Sequence, residues 1–536
     1  MTRPGTERES TGSRPGRHPW WLSAVCYEVY PRSFGDSDQD GNGDLEGARQ
    51  HLDHLEWLGI DCIWICPFYP SPMRDNGYDI TDFCGVDPQF GTMADFDRLL
   101  ADAHARGMKV IVDWVPNHTS SDHPWFVEAR SARESARREW YYWRDEPNNW
   151  RAALGAGSTW TLDEQTEQYY LHFFYASQPD LNWYHPDVEA AMHQTLRFWL
   201  DRGVDGFRID STQCLGKDLT FADDDRCLAG EAINKINDHP YTHEILRKVR
   251  RLTDSYDGDR VLVGEVNLRQ EARIVQYYGS GDELQLTFNF PPLDAPWDPI
   301  VWRMIIAEIE RRLGPADAWP VWTLSNHDNS RLRTRYGGSI RRTRAAAVLL
   351  LTLRGTVFLY QGEELGLRDL DLRRSEMVDP AGRDGSRGPI PWTADPPHGW
   401  GPSPWLPFPP DAGTESVEAQ RADDDSVLHL YRRLIRIRHS SRALRYGSWT
   451  DLDLRPGVLA YRRRLGEEEF VVLINFMDAD REVPLEGDWQ VHVDSVAFQG
   501  KGELAPYHGV VAAEQALLLA PASAAGRAQT DVATED

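Results

Sequence analysis

The chain alternates between short apolar runs and longer amphipathic stretches. Runs with the character of buried strands stand at 24–30, 62–66, 110–114, 204–209, 261–264, 284–290, 322–325 and 357–360. Between them apolar residues recur at helical spacing, as in 49–58, 94–105 and 343–353. Glycines such as Gly59, Gly107 and Gly203 stand where helical patterns stop. Eight strands, each followed by a helix or a long loop, predict an α/β chain closed into a (β/α)8 TIM barrel.

Two stretches interrupt this rhythm. Residues 118–182 separate the third and fourth strands, are rich in Trp, Tyr and Asn, and carry no βα unit. They predict an inserted B subdomain over the barrel mouth. Residues 366–425 follow the eighth strand, are dense in Pro, Gly, Asp and Trp, and predict a long loop packed at the same end. The last barrel helix is predicted over 427–439. Beyond 448 the pattern alternates, with strands expected at 459–464, 469–476, 489–494 and 513–519. That is a C-terminal antiparallel β domain. The expected plan is a barrel from 20–117 and 183–447, a B subdomain at 118–182 and a β domain at 448–519. The polar segment 1–19 and the low-complexity segment 520–536 are expected to be disordered tails, the first not a secretory signal.

Composition narrows the function. A net charge of −26 with no concentrated basic face excludes nucleic acid as a partner. No apolar run is long enough to span a bilayer. The abundance of Trp and Tyr, 21 and 20, suits stacking on sugar faces. The cysteines (Cys26, Cys62, Cys66, Cys84, Cys214 and Cys227) are scattered without a CxxC pair. This excludes a zinc or redox motif and suggests reduced thiols in a cytoplasmic protein. The charge favours a neutral or cationic ligand over a polyanion.

One loop looks built for a hard cation. Oxygen donors recur at every second position in Asp36, Asp38, Asp40, Asn42 and Asp44, and Gly41 and Gly43 permit the sharp turn. The loop resembles an EF-hand but lacks its flanking helices and its final Glu. A structural Ca²⁺ or Mg²⁺ is expected there; a merely acidic, solvated loop is the alternative.

The chemistry collects at strand ends, where such barrels place active sites. The fourth strand closes on Gly206-Phe207-Arg208-Ile209-Asp210. Side chains two apart on a strand share a face, so Arg208 can meet Asp210 and favour its ionised form. The third strand ends in DWVPNH with His118, the fifth in GEVN with Glu265, and the seventh in LSNHDN with His327 and Asp328. Three acids so placed converge on one mouth. They cannot all stay ionised cheaply, and one must take the raised pKa a general acid needs. Two such carboxyls about 5 Å apart make a retaining glycosidase.

The stretches DWVPNH, GFRID, GEVN and LSNHDN, in this order, resemble the four signature regions of the α-amylase family, glycoside hydrolase family 13. The resemblance spans 20–519. It implies Asp210 as nucleophile, Glu265 as acid/base and Asp328 as the group that binds the sugar 2- and 3-hydroxyls. It implies Arg208 as the partner of Asp210, and His118 and His327 as hydroxyl ligands. The segment DNGYDI at 75–80 resembles the pocket-closing segment of the exo-acting α-glucosidases, with Asp75 on the 4- and 6-hydroxyls and Tyr78 stacked on the ring. Phe174 and Gln178 fall in a stretch similar to the same group's B-domain ending. Arg387, in GRDGSRGPIPW, would meet Asp75 or the substrate. Departures from the family pattern are Ser211, where Val goes with α-1,6 preference, Phe173 in place of a frequent Asn, and Gly388 and Ile390 in place of Thr and Met. The resemblance implies a retaining exo-α-glucosidase for α-1,4 or mixed links, a monomer or homodimer whose partner is a small oligosaccharide or glucoside and which needs no organic cofactor. The alternative is a transglucosidase or isomerase of the trehalose synthase kind. A catalytically dead partner subunit fits poorly, because all three acids are present and no span is.

Overall fold

The computed structural model describes residues 18–155, 157–224, 235–268, 271–316, 318–496 and 504–522. Eight parallel strands form its centre: β1 (Val25–Val29), β2 (Cys62–Ile65), β3 (Lys109–Trp114), β4 (Gly206–Ile209), β5 (Val261–Gly264), β6 (Leu286–Thr287), β7 (Val321–Thr323) and β8 (Thr356–Tyr360). They pair in the order β7-β8-β1-β2-β3-β4-β5-β6, a nearly closed barrel. Side chains bridge the remaining seam. Asn289 Nδ2 donates to the Val321 carbonyl at 2.8 Å, and the Tyr278 hydroxyl donates to the Trp319 carbonyl at 2.8 Å. β6 is shorter than the expected 284–290 because Pro291 and Pro292 cannot donate to a ladder and open a helical turn, Pro291–Asp294.

Period two sorts the strand residues between two cores. Cys26, Cys62, Trp64, Ile111, Val263 and Phe358 fill the barrel. Val25, Tyr27, Ile63, Val110, Val112 and Phe207 face the surrounding helices. Both faces are buried, which is why these strands appear as continuous apolar runs. Gly206 opens β4 because a Cβ there would lie 2.1 Å from the Val261 carbonyl oxygen.

The expected helix at 49–58 is two helices, Leu45–Gln50 and Leu52–Leu58, joined at His51. The His51 ring stacks on Trp392, centroids 3.5 Å apart and 2° from parallel, which fixes the break. The helix Pro186–Arg202 ends on left-handed Gly203 and delivers the chain into β4.

Within 118–182 lies a three-stranded antiparallel sheet of Trp143–Arg144, Trp160–Asp163 and Gln168–Leu171. Its strands are two to four residues long, too short to register as a hydrophobic period. The C-terminal sheet has six strands, including Val458–Leu465, Glu468–Asn475, Trp489–Asp494 and Ala516–Pro521. The last strand takes Ala520 and Pro521 out of the expected tail. Arg463, fully buried in this sheet, ties it to the barrel by donating to the Thr352 carbonyl at the end of the helix Ile340–Thr352, where Arg438 of the helix Val427–Ser440, also fully buried, donates to the Leu351 and Leu353 carbonyls. Five cysteines are free thiols, all but Cys84 buried. Cys227, residues 1–17 and residues 523–536 lie outside the described residues. Among the described residues no helix is long and apolar enough to cross a membrane.

Candidate active site

One guanidinium organises the barrel mouth. Arg208, 3% exposed, donates from Nη1 to Asp113 Oδ1 and to Asp210 Oδ1, both at 2.7 Å. Its Nη2 donates to Glu265 Oε2 at 2.8 Å. Asp210 follows β4 and Glu265 follows β5, and the main chain staggers them. Asp210 N bonds to Trp114 O and Glu265 N to Ile209 O, each at 2.9 Å. Ser211 holds a left-handed backbone, φ 44° and ψ 42°, and so turns its N–H onto Glu265 Oε2 at 3.0 Å. A non-glycine residue in that region costs roughly 1–2 kcal/mol, which the site's hydrogen bonds must offset.

The three acids differ in their surroundings. Burial, opposed by Arg208 and reinforced by Asp210, pushes Glu265 up to about 7. Burial also leaves Asp210 above its ordinary value although Arg208 touches it, because the guanidinium is shared among three carboxylates. Burial alone would raise Asp328 too. There His327, Arg383 and Arg387 prevail and hold its carboxyl well below the usual carboxylate range.

A cavity of about 770 Å³ opens above these groups. Asp210, Glu265 and Asp328 line it, as do Asp75, Tyr78, His118 and Phe174. Asp75 and Tyr78 are presented by a turn with left-handed residues at Met73, Asn76 and Gly77. Asp79 holds that turn by accepting from Asp75 N, Arg74 N and the Ser71 hydroxyl. Tyr78 stacks on His327, centroids 5.4 Å apart, with its hydroxyl 2.9 Å from Nε2. Gln178, fully buried, donates to Asp75 Oδ2 at 2.8 Å and lies 3.1 Å from His118 Nε2. Arg208, Gln178, His327 and Arg387 stand behind the wall rather than on it.

Arg387 does not reach Asp75. It is fully buried and donates to Asp328 Oδ1 at 3.0 Å and to the His327 carbonyl at 2.8 Å. Arg383 makes the expected contact instead, donating to Asp75 Oδ1 at 2.5 Å and to Asp328 Oδ1 at 2.9 Å. It precedes the helical turn Asp384–Arg387 and so faces the cavity. The sequence offered two arginines in GRDGSRG and no means of ranking them. Asp113 was also missed as a site residue, although it opens the quoted DWVPNH stretch. It is fully buried and bonds Arg208 and Trp64 Nε1.

The acidic loop is only partly assembled as expected. Carboxylate oxygens of Asp36, Asp38 and Asp40 lie within 4.8 Å of one another, a donor set suited to a hard cation. Asn42 and Asp44 turn elsewhere. Asn42 Oδ1 accepts from Arg32 Nε at 3.0 Å, and Asp44 caps the helix Leu45–Gln50 through Gly47 N.

An eight-stranded parallel barrel whose mouth gathers two aspartates and a glutamate with its pKa raised to about 7 has the form of a glycoside hydrolase. The model for the alpha-amylase catalytic domain matches residues 28–447. The chain is 39% identical over 524 residues to a probable α-glucosidase of Rhizobium meliloti (strain 1021), covering 90% of this chain and 94% of that one. It is 35% identical over 516 residues to an oligo-1,6-glucosidase of Parageobacillus thermoglucosidasius, covering 86% and 91%. The solved structure of the α-glucosyl transfer enzyme XgtA superposes with a TM-score of 0.87 at 37% identity, over 94% of this chain and all of that one. The chain therefore belongs to the α-amylase family, glycoside hydrolase family 13, in its oligo-1,6-glucosidase-like subgroup.

The value of about 7 for Glu265 sets a pH dependence. With Glu265 as general acid and Asp210 as nucleophile, kcat/KM on maltose is expected to fall about tenfold per unit above that pH, and to fall again in acid as Asp210 takes up a proton. Glu265→Gln removes the alkaline limb along with most of the activity. A wild-type profile flat to pH 9 would contradict the assignment.

Proposed function

We propose that this chain is a retaining exo-α-glucosidase, which releases glucose from the non-reducing end of short α-1,4 or mixed-linkage glucosides. The observation that carries this reading is the bridge of Arg383 between Asp75 and Asp328, backed by Gln178. It supports a pocket closed beyond the terminal sugar, which admits a chain end and not a chain middle. An Asp210 oxygen attacks C1 as the glycosidic C–O bond breaks, and Glu265 gives its proton to the departing oxygen. Glu265, now a carboxylate, takes a proton from water. That water oxygen attacks C1, expels Asp210 and leaves α-glucose. Arg208 follows the charge across both steps, since it touches both acids. Asp328, kept ionised by its cations, suits acceptance of two sugar hydroxyls.

Glucosyl transfer is the second reading, supported by the likeness to an α-glucosyl transfer enzyme. The same ester on Asp210 would then be taken by a sugar hydroxyl instead of water. Free thiols suit a reducing compartment, which supports the cytoplasm. We also assign Asp36, Asp38 and Asp40 to a structural Ca²⁺ or Mg²⁺.

NMR of early products from maltose, isomaltose, trehalose and sucrose tests the reaction. α-Glucose appearing before its β anomer is expected, and first release of β-glucose would overturn retention. Asp210→Asn is expected to cut kcat by roughly a thousandfold or more with the fold intact. Adding Ca²⁺ or Mg²⁺ to chelated protein is expected to raise Tm, and Asp38→Asn to remove that response. No shift with either ion in the wild type would remove the loop from consideration.

A further inference from the structure

His327 has an unusual setting that the proposed reaction does not use. Its ring lies between Tyr30 and Tyr78, within 12° of parallel to both. Its Nδ1 sits 2.5 Å from Glu28 Oε1, and both side chains are 1% exposed. The same oxygen accepts from the His327 main-chain N–H at 3.3 Å and from Cys66 Sγ at 3.5 Å. Three donors thus converge on one carboxylate oxygen, Nδ1–H the nearest of them. The opposite nitrogen, Nε2, lies 2.9 Å from the Tyr78 hydroxyl and 3.5 Å from Asp328 Oδ1. The imidazole is thus held between two carboxylates. Glu28, Cys66 and His327 also form a cluster with metal-ligand atoms. A metal would have to part the 2.5 Å contact, so the cluster is better matched to a shared proton.

We propose that Glu28 is a positioning residue that keeps His327 an imidazolium, so that Nε2–H donates to the Tyr78 hydroxyl and Asp328 from behind the cavity wall. This rests on the glucosidase reading for its kinetic consequence but not for its charge state. The other groups facing the ring are Cys66, Tyr30, Trp64, Tyr78 with Asp113 and Arg208 behind its hydroxyl, and Arg387, whose Nε donates to the His327 carbonyl. None of them supplies a negative charge as near as Glu28 or Asp328. Burial would depress the imidazole, yet Asp328 and Glu28 together raise it above its ordinary value. Glu28 stands on β1, far in sequence from every signature stretch, and reaches the site only because the barrel closes.

Glu28→Gln keeps an acceptor for Nδ1–H and removes the charge. Long-range ¹H–¹⁵N spectra of histidine-labelled protein report the ring, with the His327 signal identified by its absence in His327→Gln. The wild-type ring is expected to be doubly protonated at pH 7, and the Glu28→Gln ring to lose its proton at lower pH. The variant's kcat/KM on maltose is expected to fall roughly tenfold or more at pH 7. The deficit should shrink as the pH is lowered and the imidazolium re-forms. Glu28→Asp retains the charge at a shorter reach and should keep the wild-type pH dependence whatever its absolute rate. It also covers the case in which Glu28→Gln does not fold. A neutral wild-type ring at pH 7, or a Glu28→Gln deficit equal at every pH, would overturn the proposal. Failure of the glucosidase reading would show instead as unchanged cleavage by Asp210→Asn, with the His327 titration unaffected.

Discussion

The mouth of this barrel depends on one buried cation. Arg208 is the charge that lets Asp113, Asp210 and Glu265 lie together out of water. Removing one partner of a buried charge network is costly, because the others stay buried and uncompensated. The backbone is arranged to feed this network. Gly206 lets β4 approach β5, the ladder staggers Asp210 and Glu265, and the strained Ser211 adds an N–H to Glu265. Asp113, which looks structural, completes the arrangement from β3.

The same physics divides the labour among the acids. Glu265, its side chain 19% exposed, shares one guanidinium with two aspartates, and its pKa rises to about 7. Asp328 is more exposed, at 32%, and faces Arg383, Arg387 and His327, which hold its carboxyl well below the usual carboxylate range. In the proposed reaction the first carboxyl gives a proton and the second accepts hydroxyl hydrogens. Arg383 extends the cationic side to Asp75 along the cavity wall. Pairs of carboxyls pushed apart in pKa are how one fold carries out acid and base steps at one pH.

Much of this was legible in the residues. The barrel strands announce themselves because both faces are buried, which leaves unbroken apolar runs. The three acids sit at strand ends that those runs locate. What stayed hidden depends on packing between distant segments. Arg383 and Arg387 are four residues apart in one turn, and only the direction of that turn decides which faces the cavity. Glu28 lies inside an apolar strand, where its carboxylate carries no pattern. Asn42 and Asp44 fit a cation loop by spacing, but Arg32 and the helix at Leu45–Gln50 claim their oxygens. The short strands of 118–182 owe their form to aromatic packing rather than to period.

The central claim is that Asp210 attacks the sugar carbon while Glu265 gives its proton to the departing oxygen. Trapping the intermediate tests this most directly. Incubation with 5-fluoro-α-glucosyl fluoride, followed by peptide mass spectrometry, should find one fluoroglucosyl group esterified to Asp210. Label on Glu265 or Asp328, or turnover of the reagent with no labelled peptide at any time, would contradict the account.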